Sequence, residues 1–512
     1  MNKLRCFFLM TLITSSLYGQ KNPNIIFILA DDLGYGDVKC FNPGGKIATP
    51  NMDELAAGGM MFTDAHSSSA VCTPSRYSIL TGRYPWRSRL QKDALWGYAP
   101  HLIDPARLTV ASFLKNNGYF TACVGKWHLG MDWVVNQPAS KDSLHFLRPT
   151  SGNPLIKTGW EVDYSKPIEN GPNSVGFDYF YGISASLDMP PFVFIENDRT
   201  VEIPAAEKTF FRPGPAGKDF EAVNVLPAVV KKTQEIIVSK AASNTPFFIY
   251  MAMPSPHTPI VPDADFKGKS GVTDYGDYVM ETDWGVGQVM KTLDSLGIAD
   301  NTIVFFSSDN GFAPYVLRNY KVEKLGHFPS YIFRGYKSDI WEGGHRVPTI
   351  VRWPGHIQPG STCSQFISLT DFMATCAGLL NKKLPDNAGE DSYNIMPYLA
   401  GETKRPVRKS IVYASMYGNF SIQEGKWKLE LCPNSGGYAS PKEWRAYREG
   451  SPLIQLYDME SDVSEKRNVE AQFPEVAKRM TKLLETIIKN GRSTPGRKLK
   501  NDVPVDLWKK GW

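Results

Sequence analysis

Asn24-Ile25-Ile26-Phe27-Ile28-Leu29-Ala30, followed at once by Asp31-Asp32, is the stretch from which the fold can be read. An apolar run with no alternation describes a strand buried on both faces, and such a strand belongs to a sheet with helices on either side. The texture then repeats. Val110, Phe113 and Leu114 have helical spacing and Gly118 stops them; Tyr119 to Val124 reads as the next strand, leading into Gly125-Lys126-Trp127-His128. A helix near Pro227 to Ser239 precedes the strand Pro246 to Met253 and then Pro254-Ser255-Pro256-His257. A helix from about Asp277 to Leu296, closed by Gly297, precedes the strand Thr302 to Ser307 and then Asp309-Asn310. This alternation predicts an α/β fold, a large, mostly parallel mixed sheet sandwiched by helices. In open α/β sheets ligands bind outside the carboxyl ends of the strands. Four separate segments here deliver acids, a lysine and histidines to that one rim.

Beyond about Pro397 the pattern changes. Ser410 to Ala414 and Lys426 to Leu431 read as short antiparallel strands, and Pro474 to Lys489 as an amphipathic helix. The expected organisation is a leader over residues 1–19, a large α/β domain over 20–396 and a smaller α+β subdomain over 397–512. Residues Pro138 to Asn173 have little periodicity and read as an insertion loop; Gly491 to Trp512 reads as a packed or mobile end. Lys3 and Arg5, the apolar run from Cys6 and the small-residue exit Ser15-Ser16-Leu17-Tyr18-Gly19 have the form of a secretory signal peptide. The run is too short to span a bilayer. The expected location is thus secreted or periplasmic, with no membrane span. A net charge of +5 over 512 residues is too balanced to argue for nucleic acid or a membrane surface. Seven cysteines are scattered without a C-x-x-C pair, and spacing alone leaves a Cys363–Cys376 disulfide open.

Three groups of residues carry chemistry. In Cys72-Thr73-Pro74-Ser75-Arg76, Pro74 suits the first turn of a helix. Cys72 and Arg76 would then lie where backbone N–H groups attract anions. Read alone, this is either a reactive group serving an anionic substrate or an ordinary buried cysteine at a helix start. Asp31, Asp32, Asp309 and Asn310 end two strands. They are either hard oxygen ligands suited to calcium or magnesium, or turn acids. Lys126, His128 and His257 follow strands at the same rim and are either a cation and proton carriers or structural residues.

The whole segment Cys72 to Arg83 resembles, position by position, the C-x-P-x-R-x-x-x-L-T-G-R signature of the formylglycine-dependent sulfatases of the alkaline phosphatase superfamily. Gly125-Lys126-Trp127-His128-Leu129-Gly130 resembles the family's G-K-W-H-L-G motif. Leu456-Tyr457-Asp458 resembles its L-Y-D segment, with Val463 where the family has proline. The resemblance runs from about Asn24 to Val469. It implies an alkaline-phosphatase-like fold and a maturing enzyme that oxidises Cys72 to formylglycine. One hydroxyl of the aldehyde hydrate attacks sulfur, and the other expels sulfate by reforming the aldehyde. It further implies that one Ca2+ is held by Asp31, Asp32, Asp309 and Asn310 and contacts residue 72. Arg76 belongs to the catalytic signature, Lys126 and Lys337 hold sulfate oxygens, His128 contacts residue 72, and His257 meets the leaving oxygen. Arg83 supports the loop, Ser186 aligns with a serine near the metal, and Asp37 is structural. The segments Ser184 to Pro191 and Gly326 to Pro348 resemble bacterial glycan sulfatases acting on galactose or N-acetylgalactosamine sulfates. The expected substrate is therefore a sulfated glycan that loses a 6-O- or 4-O-sulfate by exo action, with His327 and Arg334 as sugar contacts. Aromatic and basic residues mix around Trp86-Arg87-Ser88-Arg89 and Trp96-Gly97-Tyr98, either as sugar contacts or as core aromatics and satisfied arginines. Two alternatives stand beside this reading. Formylglycine-dependent phosphonate or phosphodiester hydrolases favour softer metals with histidine ligands, unlike the Asp-Asp-Asp-Asn set. A glycan-binding relative would never receive its formylglycine.

Overall fold

A computed structural model of the chain describes residues 22–136, 159–314, 322–402 and 404–509. The expected leader and residues 138–158 of the expected insertion loop lie outside them.

Asn24–Ala30 is a fully buried strand at the centre of a sheet with ten strands among the described residues. It pairs in parallel with Phe247–Ala252 on one side and Thr302–Ser308 on the other, so that Phe27 lies opposite both Tyr250 and Phe305. Phe120–Lys126 and then Tyr179–Ile183 extend the parallel block beyond Phe247–Ala252. On the other side Thr349–Arg352 runs antiparallel to both of its neighbours, Thr302–Ser308 and Met60–Phe62, which makes the sheet mixed around a parallel centre. Side chains alternate across a strand, and each face of the central one meets a different set of helices. Ile25, Phe27 and Leu29 pack with the helices Cys72–Thr81, Val110–Lys115 and Phe372–Leu379. Ile26, Ile28 and Ala30 pack with Pro50–Ala57, Val225–Ala242 and Asp274–Ser295. Two buried faces explain why the sequence here is apolar without alternation.

The smaller sheet runs antiparallel in the order Ser410–Ala414, Phe420–Glu424, Trp427–Glu430, Gln455–Asp458. Pro474–Asn490 buries Ala477, Met480, Leu484 and Ile487 against it, a helical stripe. Gly491 ends that helix with φ 65°, a left-handed conformation that glycine adopts without strain. The chain end returns to the catalytic sheet's side of the molecule, where Asp502 pairs with Arg83 at 2.9 Å and Asn501 accepts from Arg87 at 2.9 Å. The six cysteines beyond residue 21 are all unpaired thiols, Cys363 and Cys376 included.

A buried charge cluster joins the two sheets. Lys428 Nζ donates to Glu465 at 2.6 Å and to Glu342 at 2.9 Å, with Glu430 at 3.4 Å. Burial opposes the ammonium charge, but Glu342, Glu465 and Glu430 outweigh it and keep Lys428 protonated. Lys428→Met strands these carboxylates, and removing one partner of a buried pair costs about 3–5 kcal/mol. Urea unfolding at pH 7 is expected to read that loss. The loss should shrink at pH 5, because burial already pushes the Glu430 and Glu465 carboxyls upward and a proton can replace the missing cation. A loss independent of pH would contradict this account.

Candidate active site

The polar rim is assembled by the parallel ladder continuing past the strand ends. Asp31 N donates to Ser255 O at 2.9 Å, Asp309 N to Ala30 O at 3.1 Å, and His128 N to Ser184 O at 3.0 Å. Gly125 allows the closest approach: at φ 113°, a Cβ there would lie 2.0 Å from Ala252 O. Asp32 and His128 are non-glycine residues with φ 64° and 57°. Strain of that kind persists where surrounding structure over-determines it, and it collects at functional sites.

Three buried cations meet three buried carboxylates. Lys126 Nζ bonds both oxygens of Asp31 at 2.8 and 2.7 Å, and Lys337 Nζ reaches both oxygens of Asp32 at 2.7 and 2.8 Å. Arg76 Nε donates to Asp309 Oδ2 at 2.9 Å, and Nη2 lies 2.7 Å from the same oxygen and 3.5 Å from Asp31 as an ion pair. Asn310 Nδ2 donates to Asp32 at 2.7 Å, while Asn310 Oδ1 is buried with no partner among the described residues. Burial alone would raise these carboxyls. For Asp31 it is outweighed by Lys126, His257 and Arg76, and for Asp32 by Lys337 and His257, so both are held below the ordinary range. Burial prevails at Asp309 despite Arg76.

Each histidine has one nitrogen assigned by a carbonyl, which can only accept. His257 Nδ1 donates to Thr258 O at 2.7 Å, leaving Nε2 3.5 Å from Asp32. His128 Nε2 donates to Leu95 O at 2.8 Å, leaving Nδ1 buried and without a partner among the described residues. Burial, then Lys126 and Arg76, hold His128 well below the usual imidazole range, so it is neutral and Nδ1 is an acceptor.

Cys72 is the first residue of its helix and opens on a cavity of about 490 Å³ lined also by Trp96, Ser186, Asp188, Arg212, His257 and Lys337. Burial pushes its thiol up to about 11. At neutral pH the helix N-terminus and nearby lysines do not make it a thiolate, and Arg76, expected to serve an anion beside it, is committed to Asp309.

Two residues expected as sugar contacts, His327 and Arg334, are not among those lining this cavity. His327 is fully buried and absent from the cavity lining; Nε2 bonds Asp37 at 2.7 Å and Nδ1 accepts from Lys46 N at 3.2 Å. Arg334 lies 3.5 Å over the Trp341 ring and donates to Glu465 O at 2.7 Å. His327 is a satisfied internal group, whereas Arg334 is half-buried and held by Glu465 and Trp341. Trp86 and Arg87 are likewise buried, with Arg87 paired to Asp391 at 2.8 Å. Sequence reasoning missed Arg212, which pairs with Asp188 and lies 4.8 Å from the Trp96 ring centre, and Met416, Tyr417 and Tyr438, which reach the cavity from the smaller subdomain. Asp188 and Trp96 stood in quoted segments, but the hairpin bearing Arg212 has no periodic signal.

Residues 23–382 match the sulfatase family model. The chain belongs to the sulfatase family, and with its alkaline-phosphatase-like α/β sheet it is a sulfuric ester hydrolase. It is similar to an N-acetylgalactosamine-6-O-sulfatase of Bacteroides thetaiotaomicron, 36% identical over 91% of this chain and 93% of the relative. Human arylsulfatase A is 30% identical over 90% of this chain and 86% of its own. A solved structure from a Bacteroides thetaiotaomicron locus for the metabolism of multiple glycosaminoglycans has a TM-score of 0.77 and 33% identity, covering 91% of this chain and 99% of that one. Among the described residues no helix is long and apolar enough to cross a membrane.

Proposed function

We propose that this chain is an exported, calcium-dependent carbohydrate sulfatase that uses formylglycine made from Cys72. Its substrate would be a glycan ending in galactose or N-acetylgalactosamine, from which it removes a 6-O- or 4-O-sulfate by exo action. The observation that carries the reading is the convergence of Cys72, His257 and Lys337 on one cavity above the Asp31, Asp32, Asp309 and Asn310 cluster. The similarity to an N-acetylgalactosamine-6-O-sulfatase supports the sugar and favours the 6-O position.

The donor set fits a hard cation. Three carboxylates and an amide oxygen without a partner among the described residues offer oxygens only, as calcium prefers. Asp31, Asp32, Asp309 and Asn310 would hold the ion, which when bound would supply positive charge beside residue 72. The protonated Cys72 thiol is a poor nucleophile, which supports its conversion by a maturing enzyme; formylglycine would supply the attacking oxygen. The remaining steps belong to side chains already in place. Lys126 and Lys337 would offset charge on the sulfuryl oxygens. His257, oriented by its bond to Thr258 O, would hand a proton from Nε2 to the departing sugar oxygen, a poor leaving group otherwise. His128, kept neutral, would accept a proton at Nδ1. Ser186 and the cavity wall formed by Trp96, Asp188 and Arg212 would orient the sugar.

The substrate is tested by incubating the matured enzyme with 6-O- and 4-O-sulfated galactose, N-acetylgalactosamine and N-acetylglucosamine and separating the products by chromatography. Desulfation of N-acetylgalactosamine 6-sulfate or galactose 6-sulfate is expected. Turnover confined to the glucosamine series or to aryl sulfates would overturn the sugar assignment.

A further inference from the structure

A second and larger concavity, about 1050 Å³, lies across the Met416–Asn419 turn from the catalytic cavity. Met416 and Tyr417 line the catalytic cavity and Asn419 lines the second one. The segment from Tyr438 to Glu443 likewise starts on one and ends on the other. Two independent chain segments thus make the concavities neighbours.

The composition of this groove is unusual for a surface. Trp444 is 59% exposed and Tyr447 63%, and Leu453 and Trp508 are exposed beside them. Single apolar residues scattered over a surface need no explanation, but a gathered patch marks a binding site. Trp444 and Tyr447 are three apart on the helix Glu443–Arg448, so they share a face. The helix is anchored rather than loose: Glu443 Oε1 accepts from Asn419 Nδ2 at 2.9 Å. Glu443 itself is 6% exposed, lines the groove, and its Oε2 is buried with no partner among the described residues. A buried oxygen of that kind calls for a donor such as a hydroxyl. Arg445 is paired with Glu449 at 2.6 Å, whereas the Arg448 guanidinium lies 5.4 Å from the Trp444 ring centre on the groove wall.

We propose that this groove is a second carbohydrate-binding site, holding sugar units of the glycan chain remote from the one being desulfated. The inference rests on the reading that the substrate is a glycan. Flat exposed rings offer faces to the C–H surfaces of pyranoses at small entropic cost. The open Glu443 oxygen accepts from sugar hydroxyls, and Arg448 can meet a sulfate further along the chain. Continuity with the catalytic cavity favours the substrate's own chain over a protein partner.

The test compares N-acetylgalactosamine 6-sulfate with a pentasaccharide ending in that residue, using the matured full chain. Trp444→Ala/Tyr447→Ala is expected to raise KM for the pentasaccharide about ten-fold or more, as loss of aromatic anchors does, while kinetics on the monosaccharide stay within about two-fold. Trp444→Phe should restore part of the pentasaccharide affinity. Unchanged KM for both substrates overturns the proposal, and so does a double variant that instead changes the sedimentation coefficient, which would make the groove a contact between copies. If the wild type cleaves neither sugar, the substrate reading fails on its own. The groove is then judged by calorimetric binding of the pentasaccharide to Cys72→Ala with and without the double substitution, where equal affinity overturns it.

Discussion

Cys72→Ala is expected to abolish sulfate release, by at least about 10⁴-fold, the scale on which removing a nucleophile acts. The fold should survive. Cys72 is buried at a helix start, and trading a thiol for a methyl there removes one atom from the core, a cost on the order of 1 kcal/mol. The wild-type chain made without a maturing enzyme should behave like the variant. Burial pushes the unconverted thiol up to about 11, so at neutral pH it remains protonated and cannot substitute for the aldehyde. Mass spectrometry of the peptide spanning Cys72 should find an aldehyde in active preparations and a thiol in inactive ones. Full activity in Cys72→Ala, or in protein carrying only the thiol, would end the mechanism proposed above.

Chelation is the second large effect. Removing a divalent ion from Asp31, Asp32, Asp309 and Asn310 is expected to cost at least about 100-fold in rate, with recovery on adding calcium and not zinc. Melting should also fall, since an ion bound at 100 times its Kd contributes about 2.7 kcal/mol. Asp309→Ala tests the same group but also strands Arg76, whose Nε and Nη2 both lean on that carboxylate, at about 3–5 kcal/mol of stability. Asp309→Asn is the cleaner variant, because it keeps the shape and loses the charge. Retained activity after exhaustive chelation, or in Asp309→Asn, would remove the ion from the reaction.

Much of the catalytic sheet was legible because burial on both faces leaves a mark on composition. Asn24–Ala30, Phe247–Ala252 and Thr302–Ser308 are continuous apolar runs, and each was found within a residue or two of its end. The polar residues after those ends were legible for a related reason. A ladder that stops at a common rim must place Asp31, His257 and Asp309 side by side, whatever the loops do. The surroundings of His327 and Arg334 were not legible. His327 and Arg334 lie in a segment whose aromatics and bases fit a glycan site equally well as a packed wall, and local sequence does not distinguish them. What decides is the partner from a distant position: Asp37 for His327, and Glu465 with Trp341 for Arg334.

The sequence by itself determined the parallel core, the rim and the family, because those depend on periodicity and on contiguous motifs. Tertiary structure alone decided which cation meets which acid, Lys126 with Asp31, Lys337 with Asp32 and Arg76 with Asp309. It also decided that Arg212, Tyr417 and Tyr438 share the cavity with Cys72. These neighbours come from loops and from a second sheet far along the chain. Their proximity follows from how the two sheets dock, and docking is a sum of long-range contacts that no local pattern encodes.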